Sequence, residues 1–139
     1  MIEQSVRIRI AVVRPPAGVR FCLQRGKENL EGTTATEGCD LHFDFEVRAR
    51  PDAGGSVRLL GTFVQGPPTA RFLYVCVGTC AGQLGSPWTR RVKVPLTGIT
   101  WKQVEAANGG LLEAAYEGAA KDGSPACATV KLIKPWSPA

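Results

Sequence analysis

Three sets of residues have the types and spacing from which chemistry could be built. His42, Asp44 and Glu46 alternate along LHFDFEVRAR, so in an extended chain an imidazole and two carboxylates stand about 7 Å apart on one side. In a cleft such a row could exchange protons with a substrate; on an open face it would pair with arginines on a neighbouring strand. Cys76 and Cys80 form the second set. Four extended residues separate their α-carbons by about 13 Å, too far for a disulfide or a shared zinc ion unless the chain bends sharply at Gly78. His42 is the only histidine, and the second pair of ligands that a structural zinc site needs is missing, so no metal is expected.

The third set is the most suggestive. Gln65 and Arg71 flank a Gly-Pro-Pro loop, Tyr74 follows inside an apolar run, and Trp88, Arg90 and Arg91 come after a glycine-rich stretch. Arginine forks next to aromatic faces can hold a carboxylate, a phosphate or a base, and a loop stiffened by Pro67 and Pro68 loses less entropy when something binds. The bland alternative is arginines covering a sheet edge with Trp88 in the core. Gly78, Gly82 and Gly85 do not complete a phosphate-binding fingerprint, because neither a Lys-Ser/Thr pair nor a helix follows them.

Charge distribution points the same way. The chain has 17 basic and 12 acidic residues, a formal charge of +5, yet no acidic residue lies between Asp52 and Glu105. Arg58, Arg71, Arg90, Arg91, Lys93 and Lys102 all fall in that interval. A positive potential there would favour anionic ligands, acidic partners or phosphate backbones.

These residues must be positioned by strands. Val6, Ile8, Ile10 and Val12 alternate with Arg7 and Arg9, the pattern of a half-buried strand, and Pro15-Pro16 end it. Val19, Phe21 and Leu23 mark a second strand after Gly18. Residues 26–40 lack periodicity and read as a long connection, at most with a short irregular strand. Leu41 to Arg50 is the clearest strand, with one face for the core and one for water, as antiparallel sheets require. After the Pro51–Gly55 turn a strand runs from Val57 to Val64. Phe72 to Val77 is apolar on both faces and reads as a central strand, and Val92 to Leu96 forms the next one with a basic outward face. Thr100, three residues before Gln103, predicts a capping box and a helix over 100–107 that Asn108-Gly109-Gly110 terminate. Leu112 to Tyr116 and Ala128 to Leu132 read as a closing hairpin, the former also being compatible with a helical extension.

At 139 residues, with 44% apolar and 21% charged content, the chain fits a single domain over 1–139. Such a domain buries roughly two thirds of its unfolded surface, enough to need no staple. No apolar run is long enough for a membrane helix. Arg7 and Arg9 interrupt the N-terminal apolar stretch and no small-residue cleavage site follows, so a cytoplasmic location is expected. Five cysteines, an odd number, then read as thiols rather than a disulfide framework.

The segments FVQGPPTARFLYV, SPWTRRVKVPLTGITW and GAAKDGSPACATV resemble a family of small bacterial proteins classed as a domain of unknown function, over nearly the whole chain from RIRIAVVRPPAGVRFCLQRG onward. The resemblance implies a bacterial source and carries no activity, cofactor or catalytic residue. The expected fold is an all-β antiparallel sandwich or partly open barrel of about seven or eight strands with one short helix. The expected function is a non-catalytic binding module for an anionic small molecule or a protein partner, with Gln65, Arg71, Tyr74, Trp88, Arg90 and Arg91 as its site and no cofactor. The alternatives are a single-stranded nucleic-acid-binding domain and an enzyme using the His42, Asp44 and Glu46 row. Homodimerisation, or capture of a partner by a sheet edge, is open.

Overall fold

β1 (Gln4–Val13) is the strand with most to bury. Its residues Val6, Ile8, Ile10 and Val12 are all buried, whereas Arg7 is exposed and Arg9 half-buried, so the alternation of the sequence is the alternation of the structure. The structure is a computed structural model that describes residues 3–25, 28–60, 72–78, 88–121 and 124–138.

Among the described residues there are nine strands in two sheets. The first sheet has the order β5-β4-β1-β8-β9, from β5 (Val57–Leu60), β4 (Leu41–Pro51), β1, β8 (Leu111–Lys121) and β9 (Ser124–Pro138). The second has the order β3-β2-β6-β7, from β3 (Glu28–Thr34), β2 (Arg20–Arg25), β6 (Phe72–Gly78) and β7 (Trp88–Pro95). The all-β, two-sheet architecture is the one the alternation predicts, and one of the two sheets is curled like half a barrel. The strand number is nine rather than seven or eight, because residues 28–34 pair with β2 over their whole length instead of forming a loose connection. The sheet is also not purely antiparallel: β1 pairs antiparallel with β4 and parallel with β8. Two interior neighbours give β1 a complete ladder on both sides.

Phe21 and Leu23 of β2, Leu73, Val75 and Val77 of β6 and Val94 of β7 form the inner face of the second sheet, all buried. They meet Val6, Ile8, Ile10, Val12, Phe43, Val47, Leu112, Ala114 and Tyr116 from the first sheet in one continuous core. β6 lies between β2 and β7, the interior position its apolar run predicts. The Val57-to-Val64 expectation holds as far as Leu60; residues 61–64 lie outside the described residues.

A helix, α1 (Trp101–Ala107), follows β7. Thr100 Oγ1 accepts from the Gln103 backbone N–H and the Gln103 side chain accepts from the Thr100 N–H, the capping box read from the sequence. Asn108 at φ 48° and Gly109 at φ 77° take the left-handed conformations that end it. A helix of two turns cannot stand alone. Val104 is buried, and α1 packs against β1, β4, β8 and β9. No helix among the described residues is long and apolar enough to cross a membrane.

β9 runs further than its alternation indicates, to Pro138, and among the described residues it is an edge strand of the first sheet. Leu132 and Ile133 are 46% and 47% exposed there, and Lys131 and Lys134 flank them. Lysines beside exposed apolar residues are a common way for an edge strand to discourage pairing with another edge. Trp136 folds back into the core, its Nε1 donating to the Pro95 carbonyl at 2.8 Å and its own carbonyl accepting from Gln103 Nε2 at 2.9 Å. Those contacts join the end of the chain to β7 and to α1.

Candidate binding face on the second sheet

On the outer face of the second sheet the strand registers assemble two rows. Gln24 of β2 stands opposite Tyr74 of β6, which stands opposite Lys93 of β7. One pair further along, Cys22 stands opposite Cys76, which stands opposite Arg91. The core-facing neighbours Leu23, Val75 and Val77 fix which side these residues take, because side chains alternate along a strand.

Arg91 binds the rows together. Its guanidinium carbon lies 4.0 Å from the centre of the Tyr74 ring, and its Nε donates to Gln24 Oε1 at 3.1 Å. The side chain therefore starts in β7, crosses the Tyr74 face in β6 and ends on a buried amide in β2. Stacking on the aromatic face and the hydrogen bond hold the planar fork in one orientation without neutralising it. Arg20 and Lys93 are exposed on the same sheet. β2, β6 and β7 are three adjacent strands that contain no acidic residue, while they carry Arg20, Arg25, Arg90, Arg91 and Lys93.

The sequence-derived candidates are thus partly brought together. Tyr74 and Arg91 touch. Trp88 and Arg90 belong to β7, where the backbone of Arg90 pairs with Val77 and that of Trp88 with Gly78. Gln65 and Arg71 lie outside the described residues, as do the Pro-Pro loop and Cys80. Gln24 was not a candidate from sequence, and no local signal marks it: its role comes from the pairing of β2 with β6 and of β6 with β7.

The other proposed row has a different character. Asp44 accepts from Arg9 Nε at 2.7 Å and lies 3.0 Å from His42 Nδ1, and Arg9 also lies 3.9 Å from Glu113. The register sets Arg9 opposite Asp44 and Arg7 opposite Glu46, cross-strand pairing on an outer face where His42 and Glu46 are exposed. At the end of the same sheet Arg14 pairs with Glu117, and Lys134 lies 3.8 Å from Glu113. The carboxylates of this sheet thus face cations across the ladder, whereas β2, β6 and β7 of the second sheet carry none, its acidic residues Glu28 and Glu31 lying in the edge strand β3.

Partial burial by itself would raise the Asp44 carboxyl, but the hydrogen bond and charge of Arg9, with His42 beside them, hold it below the ordinary carboxylate value. A lowered native value means that Asp44 favours folding while ionised and that this contribution is lost as the pH falls through the carboxylate range. Asp44→Asn is therefore expected to lower the urea midpoint at pH 7, and the gap to the wild type should close below about pH 4. Parallel urea titrations across that range check this; a gap that persists undiminished at low pH would mean that the Arg9 pairing does not stabilise the sheet.

The chain belongs to a family described as a family of unknown function (DUF5990), whose model matches residues 6–139. No curated protein and no solved structure matches it.

Proposed function

We propose that this domain is a non-catalytic module that binds an anionic ligand, a carboxylate or phosphate compound, on the outer face of its second sheet. The observation that carries the reading is Arg91: a guanidinium laid over Tyr74 and tied to Gln24 within three strands that contain no carboxylate. A fork held in this way needs little reorganisation to receive an anion. Arg20 and Lys93 add positive charge on the same sheet, and Trp88, Arg90, Gln65 and Arg71 stay candidates for the same ligand on their sequence alone. The long stretch of sequence without acidic residues favours anions by attraction at a distance as well as by contact.

Calorimetric titration of the purified chain with inorganic phosphate, citrate and a single-stranded oligonucleotide, each at low and moderate salt, tests the reading. Citrate or phosphate binding is expected to weaken with salt, and Arg91→Ala should lower affinity about tenfold or more, the value of a charge-assisted hydrogen bond. Arg7→Ala, on the other sheet, should leave it unchanged. Equal affinity of Arg91→Ala and wild type would remove the site from this face. Single-stranded nucleic acid is the second reading, favoured by the same acid-free run of strands with an aromatic ring on its surface; binding confined to the oligonucleotide, with a steep salt dependence, would select it.

A further inference from the structure

We infer that Cys22 and Cys76 form a cross-strand dithiol that converts reversibly to a disulfide, a redox modification site on the outer face of the second sheet. The two residues are direct partners in the antiparallel pairing of β2 with β6. Direct partners in such a ladder have α-carbons about 4.5–5.5 Å apart, inside the roughly 4.4–6.8 Å that disulfides span, so the bond can form without moving either strand. Both residues are thiols in the structure, and each perturbs the ionisation of the other.

The surroundings assign unequal roles to the two sulfurs. Arg91 is the direct ladder partner of Cys76 in β7 and its charge favours the thiolate there, so negative charge is better supported on Cys76 than on Cys22. Cys76 is accordingly the attacking sulfur and Cys22 the resolving one. Burial sets the resting state. Cys22 and Cys76 are 2% and 0% exposed, and burial pushes the Cys22 thiol up to about 12 and raises Cys76 as well, so at neutral pH the pair rests protonated and reacts slowly. The pair nevertheless lies on the solvent side of the sheet rather than in the core. On the side of Cys22 away from Cys76 the ladder neighbour is Gly32, an exposed residue without a side chain, where an added Cβ would sit 3.6 Å from the Cys22 Cβ. Cys76 itself is fully buried, so a small disulfide reaches it only through a local opening of this face, and the reaction is correspondingly slow.

With oxidised glutathione as oxidant the balance is complete. The Cys76 thiolate attacks one glutathione sulfur, and the glutathione S–S bond breaks as a protein–glutathione bond forms. Cys22, on losing its proton, then attacks the Cys76 sulfur and displaces the second glutathione. Two protein thiols are oxidised, one glutathione disulfide is reduced to two thiols, and the two thiol protons pass to them.

The experiment uses the native chain. It is incubated with excess oxidised glutathione, the remaining thiols are alkylated, and peptides are mapped by mass spectrometry. A Cys22–Cys76 linked peptide lacking two hydrogens is expected, together with its reversal by dithiothreitol, a higher urea midpoint of the oxidised form, and severalfold slower formation in Gly32→Val. Exposed Cys39 should instead carry a mixed disulfide with glutathione. A chain with Cys39, Cys80 and Cys127 all replaced by serine should form the same link. If Cys22 and Cys76 stay alkylatable in the native protein while Cys39 is modified, or if either links to another cysteine rather than to its ladder partner, the inference is overturned.

Discussion

Trp136→Ala is expected to cost about 3–5 kcal/mol of folding stability, the range for emptying a buried aromatic site. For a domain of this size that lowers the melting temperature by about 10 °C or more. The effect is large because the side chain fastens the last strand to two other elements. Its ring is buried beside Gly98, its indole N–H donates to the Pro95 carbonyl at the end of β7, and its carbonyl holds the Gln103 side chain of the α1 capping box. Removing the ring leaves a cavity and strips the Pro95 carbonyl of its donor. Trp136→Phe keeps most of the apolar surface and loses the hydrogen bond alone, so it should cost about 1–3 kcal/mol. Thermal unfolding of the three proteins followed by circular dichroism gives the order wild type, Phe, Ala. An alanine variant within 1 kcal/mol of the wild type would mean that the end of β9 is not docked against β7.

That contact is also an example of what local pattern does not carry. β1 and β4 are readable because each lies between other strands with one face on the core, so every second residue had to be apolar. β3 and the end of β9 lie at sheet edges, where ladder hydrogen bonds suffice and side chains are less constrained. The segment ENLEGTT therefore shows no period although it pairs with β2 throughout. Pro135 looks like a terminator, yet an edge strand can accept proline because one side of its backbone has no ladder to supply. The α1 capping box was legible for the opposite reason: all of its hydrogen bonds fall within four residues.

The candidate site divides along the same line. Tyr74 and Arg91 were readable as an aromatic ring and a guanidinium in a stretch without acids, a matter of residue type and charge. That Arg91 reaches across Tyr74 to Gln24, and that Cys76 has Cys22 rather than Cys80 as its ladder partner, depends on register between strands distant in sequence. Spacing along the chain holds no information about register. The parallel pairing of β1 with β8 is the extreme case, since it brings together strands from opposite ends of the protein.

That pairing underlies the second large expected effect, a loss of about 2–5 kcal/mol for Ile8→Ala, in the upper part of the range. Ile8 is fully buried, opposite Phe45 on one side and Leu112 on the other, with the second sheet facing it across the core. How much a truncation costs depends on whether the surroundings can collapse into the space. Ladders on both sides of β1 fix its backbone, so the cavity should remain open. Ile8→Val removes a single methylene and should cost about 0.5–1.5 kcal/mol. Leu59 of the edge strand β5 supplies the contrast, being buried but paired on one side only and therefore able to follow a shrinking side chain. Leu59→Ala should fall near 2 kcal/mol or below, at the lower end of the same range. Urea unfolding of the set measures this directly, provided that the slope m stays constant so that midpoint shifts report stability. If Leu59→Ala proved as costly as Ile8→Ala, anchorage of β1 on both sides would not be what makes its core positions intolerant.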